Sequence, residues 1–160
     1  MSDNLAAKPV SPELEAQAER IYRLWDQYWS ADDLDAMIGL YAEDATIESP
    51  LVPHLNGGSN GRLEGKAAIK ALLAKAAPRK PGARHFHRIG YFTDGALLMW
   101  EYPRATPAHG STPGHGTNGG EQMDFVEVME IRDGLIQHHR VYWGWRGVEV
   151  IKADAYYKDR

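Results

Sequence analysis

The chain contains no cysteine. That excludes a disulfide framework, a thiolate nucleophile and a zinc–thiolate centre. Positive charge is not in excess either: 18 Lys and Arg stand against 22 Asp and Glu, for a net charge of −4 and an isoelectric point near 6.0. A nucleic-acid surface needs a basic stripe, and this balance argues against one. Long apolar runs are missing. Ala96–Trp100 is about the longest, far short of the roughly 18 residues of a membrane-crossing helix. The opening MSDNLAAKPVS has no apolar core of a secretory leader, so the cytoplasm is the expected compartment.

What is present is ordinary globular composition: 160 residues, 43% hydrophobic and 25% charged. A chain of this size buries about 70% of the surface its unfolded form exposes, enough for one hydrophobic core. No internal repeat and no second core pattern is visible. The expectation is a tail over residues 1–10 and one domain over residues 11–160.

Helix signals come first. Ser11 can cap, Pro12 suits the first helical position, and Glu13 and Glu15 favour the positive helix end. Leu14, Ala18, Ile21, Trp25 and Trp29 (or Tyr28) then recur at helical spacing. Asp32 or Asp33 can cap a second helix whose face is Leu34, Met37, Ile38 and Tyr41. Glu43–Pro50 reads as a short strand, followed by a turn-rich loop through Gly57–Gly61. A third helix over Lys66–Ala77 presents Ile69, Leu72, Leu73 and Ala76 and stops at Pro78. Strands are predicted at Arg84–Phe92, Ala96–Arg104, Gln122–Arg132 and Leu135–Trp143, with hairpin turns at Asp94-Gly95 and Asp133-Gly134. Thr106–Gly120 is a long Gly/Pro/His-rich loop of the kind that is either a lid or disordered. Three helices followed by an antiparallel meander make an α+β domain.

One strand carries an anomaly. In Gln122–Arg132, period two puts Met123, Phe125, Glu127, Met129 and Ile131 on one face. A carboxylate in the middle of an apolar face must be paired, protonated or used, because burying it bare is expensive. The same period places His85, His87, Ile89 and Tyr91 together, and His139 with Leu135, Val141 and Trp143. Glu127, His139 and His85 are therefore the candidate catalytic set: a desolvated carboxyl and an imidazole can exchange protons near neutral pH. Glu127 has a structural reading too, holding Arg88, Arg140 or a tyrosine hydroxyl. Period two puts Glu48 opposite Ala45, Ile47 and Ser49, hence in solvent if those three face inward. Trp25, Trp29, Tyr41, Trp100, Phe125 and Trp143 supply large rings for a core and for the wall of an apolar pocket. His85, His87 and Glu127 would also make a two-His, one-carboxylate metal triad, with His109 and His115 as further donors. The Gly-rich loop lacks the Gly-Lys-Ser/Thr ending of a phosphate loop.

Four segments resemble a known superfamily: Asp33–Met37, Leu40–Pro50 (LYAEDATIESP), Gly65–Ile69, and Arg132–Ile136 continuing into Arg140–Trp143. Over roughly Leu14 to Trp143 the chain resembles the nuclear transport factor 2-like superfamily, which includes ketosteroid isomerase, scytalone dehydratase, limonene epoxide hydrolase and the SnoaL-like polyketide cyclases. The resemblance implies a cone-shaped, curved antiparallel sheet wrapped around the N-terminal helices, an apolar pocket inside, no metal or cofactor, and a homodimer. Set against ketosteroid isomerase, the base aspartate falls on Ser49, the oxyanion-hole tyrosine on Trp25 and the second oxyanion-hole acid on Glu127. Set against scytalone dehydratase, a pocket histidine falls on His85, while a first-helix tyrosine and aspartate fall on Trp29 and Ser30. The late aspartate of the epoxide hydrolases is replaced within Val141-Tyr142-Trp143-Gly144.

The implied function is a cofactor-independent lyase, dehydratase, isomerase or cyclase for a small hydrophobic, oxygen-bearing metabolite. Glu127, His85 and His139 would be catalytic. Trp25, Trp29, Tyr41, Ser49, His87, Trp100, Met123, Phe125 and Trp143 would bind substrate. The alternative is a non-catalytic ligand-binding or dimerisation domain of the same fold, and an epoxide hydrolase is a more distant one. Neither nucleic acid nor membrane is an expected partner.

Overall fold

The computed structural model describes residues 9–77, 90–105 and 122–152, with the main chain alone at 102–105, 122–124, 146, 149 and 150. Helix α1 spans Pro12–Ser30. The Ser11 hydroxyl accepts from the Leu14 amide at 3.3 Å, Pro12 opens the helix, and Glu13 and Glu15 lie in its first turn. Ala18, Ile21, Trp25 and Trp29 form its buried stripe. Leu14, expected in that stripe, is instead 41% exposed, since it lies in the first turn at the rim of the core. Asp33 caps α2 (Leu34–Ile38), accepting from the Ala36 amide at 2.9 Å. The helix ends at Gly39, so Tyr41 does not share its face but opens strand β1 (Tyr41–Glu48).

The expected loop after β1 contains structure that turn residues concealed: a short helix, α3 (Leu51–Asn56), and strand β2 (Arg62–Glu64). Helix α4 (Lys66–Ala76) buries Ile69, Leu72, Leu73 and Ala76, as its spacing predicts. Strand β3 is only Phe92–Thr93; the remainder of the expected Arg84–Phe92 strand, up to Ile89, lies outside the described residues. Strands β4 (Leu97–Ala105), β5 (Gln122–Arg132) and β6 (Leu135–Trp143) follow. Helix α5 (Trp145–Lys152), which the sequence reading lacked, closes the described chain. The expected tail overlaps the described residues only at Pro9 and Val10, and Val10 is half-buried.

The six strands form one curved, unclosed sheet in the order β2-β1-β6-β5-β4-β3. The α+β class and the cone follow the expectation, with one difference: β1 and β6 pair parallel, while the other four pairs are antiparallel. The β5–β6 hairpin turns on Asp133 and Gly134, both at positive φ (53° and 71°), the conformation a tight primed turn demands. Its return strand then lies beside β1. Trp25 and Trp29 of α1 and Leu72 and Leu73 of α4 pack with Ile47, Leu98, Phe125, Met129 and Ile136 of the sheet in one core. Each such side chain contributes on the order of 1.5–3 kcal/mol by leaving water. Among the described residues no helix is long and apolar enough to cross a membrane.

Candidate functional site

The β5–β6 register builds the site. Glu127 lies opposite Val141, and Met129 opposite His139. Glu127 and His139 are therefore diagonal neighbours on the inner face, a separation of roughly 7–8 Å that two long side chains can bridge. They do so: Nε2 of His139 lies 2.5 Å from Oε2 of Glu127. Both residues are almost wholly buried, Glu127 2% and His139 1% exposed.

The other imidazole nitrogen is also engaged. The Tyr41 hydroxyl lies 2.8 Å from Nδ1 of His139, and the indole N–H of Trp25 donates to the Tyr41 oxygen at 3.3 Å. Tyr41 is fully buried, and its phenol pKa is pushed well above the ordinary value. Burial is the main cause; the Trp25 hydrogen bond opposes it and the Glu127 charge adds to it. Tyr41 thus remains a protonated phenol and keeps a proton to donate. Because its oxygen already accepts from Trp25, that proton goes to Nδ1. With the phenol donating to Nδ1, Nε2 is the imidazole nitrogen left to share a proton with the Glu127 carboxyl. Trp25, Tyr41, His139 and Glu127 form one directed chain of hydrogen bonds through the core.

The chain ends at a cavity of about 60 Å³. Glu127, His139 and Ser49 give it polar groups; Trp25, Trp29, Phe125 and Trp143 give it rings; Ile47, Leu51, Leu72, Leu73, Ala76 and Val141 complete the wall. Trp25 and Trp29 lie 6.4 Å apart between ring centroids, and Phe125 meets Trp143 edge-on at 4.7 Å. Outside it a larger open groove of about 710 Å³ runs past Asn60, Arg62, Arg140 and Tyr142. Cavity and groove share Ser49, Val141 and Trp143.

Of the expected catalytic set, the structure brings Glu127 and His139 together; His85 lies outside the described residues, as does His87. Of the expected binding residues, Trp25, Trp29, Ser49, Phe125 and Trp143 line the cavity. Tyr41 and Trp100 do not. Tyr41 stands one layer back, bonded to His139, and Trp100 packs behind Trp25 at 5.6 Å, 1% exposed. The Met123 side chain is outside the described residues. The Ser49 hydroxyl accepts from the Leu51 amide at 3.2 Å. Glu48 is half-buried on the outer face, 3.1 Å from His138. Sequence reasoning missed the hydrogen bond between Tyr41 and His139. The available signal was a tyrosine in an apolar run, whose hydroxyl must find a partner once buried. Among the described residues no group of three or more His, Asp or Glu could hold a metal ion; His85, His87, His109 and His115 are not among them.

Helices packed into a bent six-stranded sheet, with a cavity between them, define a nuclear transport factor 2-like protein. Within that class the chain belongs to the SnoaL-like domain family, whose model matches residues 18–139. Solved structures share the fold. A SnoaL-like protein of unknown function from Burkholderia thailandensis is 24% identical, with 85% of this chain and 99% of that one covered and a TM-score of 0.62. A Bacillus subtilis protein provisionally named an isomerase is also 24% identical, covering 91% and 99% at a TM-score of 0.59. A Kribbella flavida protein provisionally named a ketosteroid isomerase is 19% identical, covering 81% and 78% at 0.55. No curated protein matches the chain.

Proposed function

We propose that this protein is a cofactor-independent acid/base enzyme, a lyase or isomerase acting on a small, hydrophobic, oxygen-bearing metabolite. The observation that supports it most is the Glu127–His139 pair, buried at 2.5 Å on the wall of an apolar cavity. The carboxylate faces the cavity, and the imidazole holds it in one orientation. Glu127 would take a proton from carbon beside a carbonyl. The resulting carboxyl would return it to a second carbon (isomerisation) or to a departing hydroxyl, which leaves as water (dehydration). His139 would position the carboxylate through Nε2, and Tyr41 would hold the imidazole in that tautomer.

The test is a panel of β-hydroxy and β,γ-unsaturated ketones, followed by NMR for turnover and for deuterium uptake from D₂O. Glu127→Gln should lower the rate by roughly 10²–10⁴-fold, the usual share of a general base. Rates within a few-fold of the parent would overturn the role.

A second reading, a non-catalytic ligand-binding domain, draws on the cavity volume of about 60 Å³, well below the roughly 300–1,000 Å³ of common small-molecule sites. We further propose a homodimer in the cytoplasm. Light scattering at low concentration checks the dimer.

A further inference from the structure

We propose that the open groove beside the cavity is an oxyanion-binding subsite formed by Arg62 and Arg140. The ligand is then a small amphiphile, with a carboxylate or phosphate head in the groove and a short apolar tail in the cavity. This deepens the acid/base reading by naming its substrate class, and it rests on that reading for the ligand being a substrate.

The first argument is the neck between the two spaces. The groove of about 710 Å³ and the cavity of about 60 Å³ meet at Ser49, Val141 and Trp143, which line both. Strand register explains the opening. The β1–β6 pairing ends at Glu48↔Arg140, while β6 runs on beside β5 to Trp143. Ser49, the next residue of the chain after β1, donates its amide to the Gly61 carbonyl at 2.9 Å. That bond draws it toward β2 and away from Val141. A ligand can therefore reach from the outer groove to the inner wall where β1 leaves β6.

The second argument is the supply of donors at the mouth. Arg62 and Arg140 flank Glu48 as its partners on β2 and β6, each at the roughly 4.7–4.9 Å spacing of neighbouring strands. Each guanidinium is held by one carboxylate oxygen. Nη1 of Arg62 lies 3.8 Å from Glu48, and Nη2 of Arg140 lies 2.9 Å from Glu130. The Glu48 oxygen is shared with His138 at 3.1 Å, so its hold on Arg62 is loose. A guanidinium carries five N–H donors in a planar fork, and one oxygen contact leaves most of them unused. Among the described residues, Nε of Arg140 has no hydrogen-bond partner. Asn60 accepts from the Arg62 amide through Oδ1 at 3.0 Å, which leaves its NH₂ as a further donor. Glu48 and Glu130 thus fix the arginines without filling their donors. Such a wall calls for an acceptor that takes several N–H bonds at once, as carboxylate and phosphate oxygens do.

The third argument is size. The cavity of about 60 Å³ has room for roughly four to six water-sized groups at about 10–15 Å³ each. A branched four-carbon tail fits. A fused-ring metabolite does not enter without movement of the walls, so the bulk and the charge of the ligand stay in the groove.

The experiment is a ¹H–¹⁵N NMR titration of the full chain with 4-methylpentanoate, with the neutral 4-methylpentanamide of the same shape, and with acetate, which lacks the tail. The acid should bind saturably and at least about tenfold tighter than the amide, the usual worth of a hydrogen bond to a charged group. It should also shift the indole N–H signal of Trp29, which lines the cavity but not the groove; acetate should leave that signal in place. Arg62→Gln, at a half-exposed side chain, should bring the acid down to the affinity of the amide and leave the amide unchanged. Arg140→Gln should do the same, and the Arg62 variant serves if it does not fold. 3-Methylbutyl phosphate carries the same tail, and the tighter of the two heads is the one assigned to the groove. Equal binding of acid and amide overturns the proposal, as does a preference for the acid that survives both substitutions, a Trp29 signal unmoved by the acid, or saturable binding by neither oxyanion. Each of those results leaves the acid/base reading standing, because deuterium exchange from neutral ketones tests that separately. Unchanged exchange in Glu127→Gln overturns that reading and leaves the oxyanion subsite.

Discussion

The Tyr41 hydroxyl lies 2.8 Å from Nδ1 of His139, on the opposite side of the ring from Glu127. The two residues come from β1 and β6, which pair parallel although 98 positions separate them. The contact depends on an irregularity: between Tyr41↔Ile136 and Thr46↔His138, β1 spends five steps while β6 spends two. The extra residues turn Glu43 and Asp44 outward and leave Tyr41 in the core. A β-bulge of this kind re-aims a side chain, here onto an imidazole.

Tyr41→Phe should disturb both stability and tautomer. It leaves the Trp25 N–H without an acceptor and Nδ1 without a donor, both buried, at about 1–3 kcal/mol for each orphaned group. Urea unfolding should show a loss of a few kcal/mol. In ¹⁵N NMR the parent should show Nε2 protonated and Nδ1 bare, and the variant a mixture. An unchanged tautomer would remove Tyr41 from the positioning role.

Alkali should unfold the protein partly through the same phenol. The Tyr41 pKa is raised in the folded state, while in the unfolded chain it is about 10. The folded state therefore holds the proton more tightly. That contribution is fully present below about pH 10 and fades as pH rises further. Tyrosinate absorbance should reveal one phenol that ionises only with unfolding, and this late step should be missing from Tyr41→Phe.

Gly147 should tolerate no side chain. A Cβ there would sit 2.7 Å from Cε3 of Trp143. Gly147→Ala must displace the indole that lines the cavity, and overpacking of this kind costs roughly 1–3 kcal/mol. A lower melting temperature and a shifted tryptophan emission maximum would register it; no change in either would show that α5 moves freely.

Asp94 holds the β3–β4 turn. Its Oδ1 accepts from the Ala96 and Leu97 amides at 2.9 and 2.7 Å, and these bonds lower its pKa. The ionised form is thus favoured by folding. Its contribution should be present above the ordinary Asp range and vanish as pH falls through the lowered folded value. Asp94→Ala should be modestly less stable at pH 7 and equal to the parent in strong acid, as read from paired thermal melts across pH.

Local chemistry was legible in the chain itself. Ser11, Pro12 and Asp33 mark helix starts because capping needs only neighbouring atoms, and Asp133-Gly134 marks its turn because only certain residues accept positive φ. Period two was enough to put Glu127 and His139 on buried faces, since a strand's alternation is intrinsic to its backbone. Which of those faces meet depends on register and strand order, and these are set by the summed burial of the whole sheet. Hence the parallel β1–β6 pair, the recess of Trp100 behind Trp25, and the hydrogen bond from Tyr41 to His139 arose only on folding. Residue types supplied an acid, an imidazole and a phenol; tertiary structure decided that they meet in one hydrogen-bonded chain.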